Sequence, residues 1–296
     1  MKLCTQTDVT AKRYGEEKAI EILAKAGYDA IDISCFDMLD RTKESPKNTD
    51  NYVAYAKKLK KIADDNGVTF DQAHAPFPSS LPNADEFNEE VSKKIIRSME
   101  FCGLLGVKNI IVHPKQHLTY REGDNPRILK EINLEFYNSL IPYCNEFDIN
   151  VCVENMWQYD ENRKISHSTC STAEEFKEYL DLINSDRIVA CLDIGHANLM
   201  GADLYDFITV LGDKLQALHV HDTGFNNDLH RVPYVANTDW EKVLKGLADI
   251  DYKGDFTFEA DNTLIYLPDD LIVPTIEYMV KVGRSMISKI EAYKNA

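Results

Sequence analysis

The 296-residue chain is short of several features that assign a protein to a class at once. None of its seven cysteines forms a CxxC pair, and Cys4, Cys35, Cys102, Cys144, Cys152, Cys170 and Cys191 are scattered along the chain. An odd, unpatterned set reads as reduced thiols, several of them in strands, and argues against a disulfide framework or a thiolate metal site. No apolar run reaches the length of a membrane span. The opening MKLCTQTDVT lacks the basic region and apolar stretch of a secretory signal. A cytoplasmic protein without a membrane partner is the expectation. Basic residues are also few: 33 Lys and Arg stand against 49 Asp and Glu, a net charge of −16. So acidic a surface repels the phosphate backbone that dominates nucleic-acid affinity, and no nucleic-acid partner is expected. No low-complexity segment, Gly/Ser linker or shift of composition divides the chain, which makes one domain over 1–296 the simplest organisation. No GxGxxG follows the first apolar run, where DVTAKRYGEE stands instead. The usual mark of a dinucleotide-binding open sheet is therefore missing.

What is present is a regular alternation. Apolar, β-branched runs occur at KLCTQT (2–7), AIDIS (30–34), TFDQAHA (69–75), NIIVHP (109–114), NVCVEN (150–155), IVACLDIGH (188–196), LQALHVHD (215–222) and DFTFEA (255–260). Between them lie amphipathic segments with apolar residues three and four apart. In EEKAIEILAKAGYDAIDI, Ile20, Leu23 and Ala24 form a helical stripe, Gly27 ends it, and the next strand follows. SMEFCGLLGVKNIIVH repeats the plan around Gly106. Eight strand–helix units predict an α/β chain folded as a single (β/α)8 barrel, closed by a last helix over roughly 269–292.

In such a barrel the chemistry sits where the strands end. The third strand ends at His74, the fourth at His113, the fifth at Glu154, the sixth at Asp193 and His196, the seventh at His219, and the eighth at Glu259. Asp228 and His230 follow in the loop after the seventh strand, so that 217–230 holds three of the eight histidines. Six consecutive strands thus deliver an imidazole or a carboxylate to one rim. Converging carboxylates repel one another, and a divalent cation relieves that repulsion. Imidazole with carboxylate suits Mn²⁺ or Zn²⁺ first, then Co²⁺, Fe²⁺ or Mg²⁺.

Taken in order, QAHAPF, IIVHP, VCVEN, CLDIGHAN, ALHVHD, DLHRVPY…DW and FTFEA resemble the xylose-isomerase-like TIM-barrel superfamily of sugar-phosphate isomerases and epimerases, which also holds endonuclease IV. The resemblance implies a shared metal set of Glu154, Asp193, His219 and Glu259. It implies that Glu154 and Glu259 also shuttle protons as the catalytic acid/base pair. His74, His113, His196, Asp228 and His230 match positions that endonuclease IV uses for a three-zinc cluster; here they are taken as substrate-contacting, with further metal ligation open. Trp157 is expected to wall the substrate, and Asp160 falls where some epimerases carry a carboxylate. His221 shares strand parity with His219, faces inward one step further along, and reads as a residue of the rim or one standing behind the metal ligands.

The leading expectation is a metal-dependent isomerase or epimerase of a small sugar or polyol, working by proton transfer beside a carbonyl through an ene-diolate. One departure weakens a ketose-epimerase assignment: after the seventh-strand histidine the span HDTGFNND carries no Arg before Arg231. Neither of the last two strand-end loops is Gly-rich, which favours an unphosphorylated substrate. A zinc phosphodiesterase like endonuclease IV, an inosose-type dehydratase and a non-catalytic sugar-binding protein remain as alternatives. The sequence leaves a homo-oligomer open.

Overall fold

A computed structural model describes residues 1–116, 118–224 and 226–295. All eight anticipated strands form, as β1 (Leu3–Gln6), β2 (Ala30–Ser34), β3 (Thr69–His74), β4 (Asn109–Ile111), β5 (Asn150–Glu154), β6 (Ile188–Asp193), β7 (Leu215–His219) and β8 (Phe256–Phe258). They make one parallel eight-stranded sheet in the order β8-β1-β2-β3-β4-β5-β6-β7. Val220 and Phe258 bridge in parallel, and Val220 N–H donates to the Thr257 carbonyl at 2.8 Å, which joins the two edges. The chain is a (β/α)8 barrel.

The helices form where the apolar stripes predict them. Glu16–Ala26 buries Ala19, Ile20 and Leu23 against the sheet, and Gly27 ends it at φ +110, a left-handed turn that glycine adopts without a Cβ clash. The last helix, Asp269–Lys294, packs Ile272, Ile276, Met279 and Met286 inward. No helix among the described residues is long and apolar enough to cross a membrane.

Strand alternation sorts the side chains. Ile31 and Ile33 face the helices and join the main core, whereas Asp32 between them faces the barrel axis. Inside the barrel, Ile111, Cys152, Val189, Cys191 and Ala217 form a small apolar layer. Two residues further along the same strands stand Glu154, Asp193 and His219, with His113 just beyond the end of β4, so the site rests on that apolar floor. All seven cysteines are free and buried.

Three local differences from the sequence reading bear on the site. The sixth strand stops at Asp193, and residues Ile194–Leu199 turn into a short helix, with the Asp193 carboxylate accepting from His196 N–H at 2.7 Å. An aspartate at a helix start satisfies a free backbone donor, which an apolar reading of CLDIGH does not anticipate. Asp228 and His230 lie not in a loop but on a short antiparallel strand, Asn227–Arg231, paired with Asp222–Gly224. A second hairpin, Trp157–Tyr159 with Ile165–His167, rises after β5. Both hairpins stand on the rim at the C-terminal ends of the strands.

Candidate metal centre

Glu154, Asp193 and His219 end β5, β6 and β7, Glu259 directly follows β8, and the four meet at the mouth of the barrel. Each offers one ligand atom, and all four atoms lie within 4.8 Å of one another. His219 Nδ1 stands 3.2 Å from Glu259 Oε2, 3.5 Å from Glu154 Oε1 and 3.6 Å from Asp193 Oδ2. Glu154 and Asp193 are almost completely buried, and Glu259 is 7 % exposed. Three carboxylates this close and this dry are expensive unless cations balance them.

The surrounding histidines provide part of that balance. His113 Nε2 lies 3.1 Å from Glu154 Oε2 and His196 Nδ1 3.2 Å from Glu154 Oε1. Burial works against the Glu154 carboxylate, but His113 and His219 beside it hold its pKa well below the usual range. Asp193 is lowered in the same way by His196 and His221. His74 is fully buried; burial lowers its pKa, and Asp32 and Glu259 more than reverse this, to about 9.

A second cluster stands beside the first. Asp228 Oδ2 accepts from His230 Nε2 at 2.9 Å, His196 Nε2 at 3.1 Å and Trp157 Nε1 at 3.3 Å. His221 stacks on His230 with ring centroids 4.1 Å apart, and its Nε2 sits 3.0 Å from both oxygens of Asp193. His196, His221, Asp228 and His230 also bring ligand atoms within 4.8 Å of one another. Phe36 packs edge-on against His74 at 5.3 Å and Phe77 tilts over His113 at 4.4 Å, so aromatic rings wall one side of the mouth.

The structure therefore gathers Glu154, Asp193, His219, Glu259, His113, His196, Trp157, Asp228 and His230 into one connected site. His74 joins it from below, with its two ring nitrogens turned to Asp32 and Glu259. Asp160 stands apart in the hairpin turn, where its carboxylate accepts from the backbone of Asn162 and Lys164. The sequence reading passed over Asp32, Gln6 and the contact between His221 and Asp193. Asp32 left a trace, as a charge at the inward-facing position of the apolar strand AIDIS. Gln6 left none, because an amide at a strand end is chemically unremarkable.

Residues 20–281 match the family model for the xylose isomerase-like TIM barrel. The chain belongs to this family. Among similar proteins, the inosose isomerase of Bacillus licheniformis is 26% identical over 263 residues, covering 85% of this chain and 86% of that protein. The D-psicose 3-epimerase of Enterocloster bolteae is 23% identical, over 92% of this chain and 82% of its own length. A shorter match, 25% identical, spans 55% of this chain and only 50% of an uncharacterized Sinorhizobium fredii protein. A crystal structure of a D-tagatose 3-epimerase-like protein superposes with a TM-score of 0.75 at 20% identity, over 98% of this chain and 99% of that one, and shares the fold.

As a xylose isomerase-like barrel, the protein has a donor set suited to a divalent cation. Glu154 Oε2, Glu259 Oε2 and both ring nitrogens of His219 are buried without a hydrogen-bond partner. Unsatisfied buried polar atoms are rare and costly, and these four belong to residues that converge. Three carboxylates and one imidazole form an oxygen-rich, thiolate-free set, which fits a divalent cation rather than a structural cysteine site.

Proposed function

We propose that this protein is a divalent-metal-dependent isomerase or epimerase of a small sugar or polyol, with Glu154 and Glu259 as its acid/base pair. The observation that carries this reading is the convergence of unpartnered buried donors on Glu154, His219 and Glu259 at the end of the barrel. Glu154, Asp193, His219 and Glu259 would hold the cation. When bound, a divalent cation supplies Lewis acidity toward the carbonyl and hydroxyl oxygens of a substrate.

The chain's own residues account for the proton traffic. Glu154 Oε1 and Glu259 Oε2 both approach His219 Nδ1, at 3.5 and 3.2 Å, so the two carboxylates meet at the same ring nitrogen. A sugar lying across the mouth presents the carbon beside its carbonyl to both. One ionised carboxylate removes the proton, leaving an ene-diolate. For epimerisation the other, protonated from solvent before the step, delivers its proton to the opposite face of the same carbon. For isomerisation the acid just formed returns the proton to the neighbouring carbon while the hydroxyl proton passes to the former carbonyl oxygen. Asp228 Oδ1, which has no partner, offers an acceptor to a substrate hydroxyl, and His196 Nε2 becomes a donor to one by exchanging its bond to Asp228, while Trp157, Phe36 and Phe77 cover the C–H faces. The relatives named as isomerases and epimerases support this reaction class. They and the charge of −16 weigh against a zinc phosphodiesterase, whose substrate the surface would repel.

A panel of ketoses, aldoses and inososes with added Mn²⁺, run beside an abasic-DNA cleavage assay, tests the proposal. Turnover of a sugar with solvent deuterium entering the product carbon is expected. DNA cleavage with three zinc ions per chain would overturn it, as would a dehydrated product. Glu154→Gln and Glu259→Gln should each lower kcat by roughly 10²–10⁴-fold, the range of a lost general acid or base. Retained turnover in either variant removes that residue from the mechanism.

A further inference from the structure

The barrel interior contains a buried carboxylate that the proposed mechanism leaves unused. Asp32, from β2, is fully buried, and its Oδ1 lies 2.9 Å from His74 Nδ1. Its other oxygen accepts from Gln72 Nε2 at 2.8 Å. Gln72 is itself anchored: its Nε2 reaches the Leu218 carbonyl at 3.3 Å and its Oε1 accepts from Thr257 Oγ1 at 3.2 Å. Three other strands, β3, β7 and β8, therefore hold Asp32 in one place. A carboxylate with both oxygens so engaged is an acceptor, so the proton between it and the imidazole belongs to His74 Nδ1.

The opposite edge of His74 faces Glu259. His74 Nε2 lies 3.3 Å from Glu259 Oε1, and Gln6 Nε2 donates to that same oxygen at 3.2 Å. Glu259 Oε2, by contrast, has no hydrogen-bond partner and is the oxygen beside His219 Nδ1, at 3.2 Å. The His74 ring cannot turn freely, since it stacks on His219 at 4.5 Å and meets the edge of Phe36. One oxygen of Glu259 is thus tied back and the other is presented to the centre.

We propose that Asp32 is a positioning residue that acts through His74: it locks the imidazole by the Nδ1–H bond, and the locked ring sets which oxygen of Glu259 faces the metal centre. This rests on the reading of Glu259 as a ligand and acid/base group. A carboxylate linked to the centre through His74 and then Glu259 thereby governs its geometry, as outer partners of ligand side chains do. Losing such a partner typically costs about 10–100-fold in metal affinity or activity.

The test uses Mn²⁺ alone as the probe, titrated into the metal-stripped full-length chain. Asp32→Ala should weaken Mn²⁺ binding by roughly 10–100-fold. Asp32→Asn should lose less, because its amide oxygen still accepts from Nδ1–H. His74→Gln should lose about as much as Asp32→Ala, and the double variant no more than either single one, because both break the same linkage. Ring-directed ¹H–¹⁵N spectra should show the deshielded His74 Nδ1–H of the wild type persisting in Asp32→Asn and vanishing in Asp32→Ala. Mn²⁺ affinity within about twofold of wild type in the alanine variant, or losses that multiply in the double variant, would overturn the assignment. If Asp32→Ala does not fold, the intermediate loss in Asp32→Asn and its non-additivity with His74→Gln decide the question. A wild-type chain that takes up no Mn²⁺ would instead sink the reading of the centre itself, and this assignment with it.

Discussion

Asp228 gives three donors a single oxygen and leaves its Oδ1 buried without a partner. One of the three is the Trp157 indole, which explains how a rim tryptophan comes to stand against the site. Its polar edge is fixed by Asp228, the Tyr159 ring packs perpendicular to it at 4.8 Å, and under the proposed function the rest of its surface covers the sugar. Trp157→Ala is therefore expected to raise KM by roughly 3- to 10-fold, from the ~0.5–1.5 kcal/mol of an aromatic contact, with kcat little changed. Steady-state kinetics on the sugar that turns over checks this. A fall in kcat at constant KM would mean that Trp157 orients Asp228 rather than the substrate. At this scale the sequence was informative about ionisable strand ends and silent about amides. His74, His113, Glu154 and Asp193 announce themselves as charge or imidazole closing an apolar run. Gln6 and Gln72 do not, although both take part in holding Glu259 and Asp32.

Among the elements, the short helix after β6 decides how His221 is used. Gly195 sits in that helix, and a Cβ there would come within 2.0 Å of the His221 ring. The ring has nowhere to go, held between His230 and Asp193. Gly195→Ala is expected to destabilise the protein by about 1–3 kcal/mol, the cost of overpacking a filled interior. It should also weaken Mn²⁺ uptake by displacing Asp193. Urea denaturation and metal titration read the two effects separately; an unchanged unfolding midpoint would show that the helix simply shifts. Strand periodicity placed His221 on the inward face but could not show its partner. Asp193 and His221 lie 28 residues apart, and a helix start that no apolar pattern marks brings them together.

For the whole molecule, charge at the two ends of the barrel is arranged differently. At the mouth, carboxylates face histidines. At the base, Asp255 faces the carboxylate of Asp71, which Lys2 pairs at 2.5 Å. Burial and the neighbouring Asp71 push the Asp255 carboxyl up to about 7. The folded chain thus keeps a proton that the unfolded chain releases near the ordinary value of 3.8. More protons are bound folded than unfolded between these values, so this group's contribution to stability falls as pH rises from about 4 to about 7 and is level above. Asp255→Asn, which retains a donor toward Asp71, should remove that slope. Denaturant midpoints at pH 5 and pH 8 should differ less in the variant than in the wild type. An equal difference in both would place the titration elsewhere.

By itself the sequence determined the barrel and the rim. Apolar runs of strand length, alternating with helical stripes closed by Gly27 and Gly106, leave few ways to bury their faces, and a parallel barrel is one that the chain length allows. The residues ending those strands could be listed in order because side-chain alternation is a local property of the backbone. The tertiary structure alone decided which of them share a partner. Asp32 against His74, His221 against Asp193, and three donors on Asp228 are contacts between distant segments. Their distances follow from barrel stagger, a helix start and a hairpin, none of which is written in the local pattern of apolar residues.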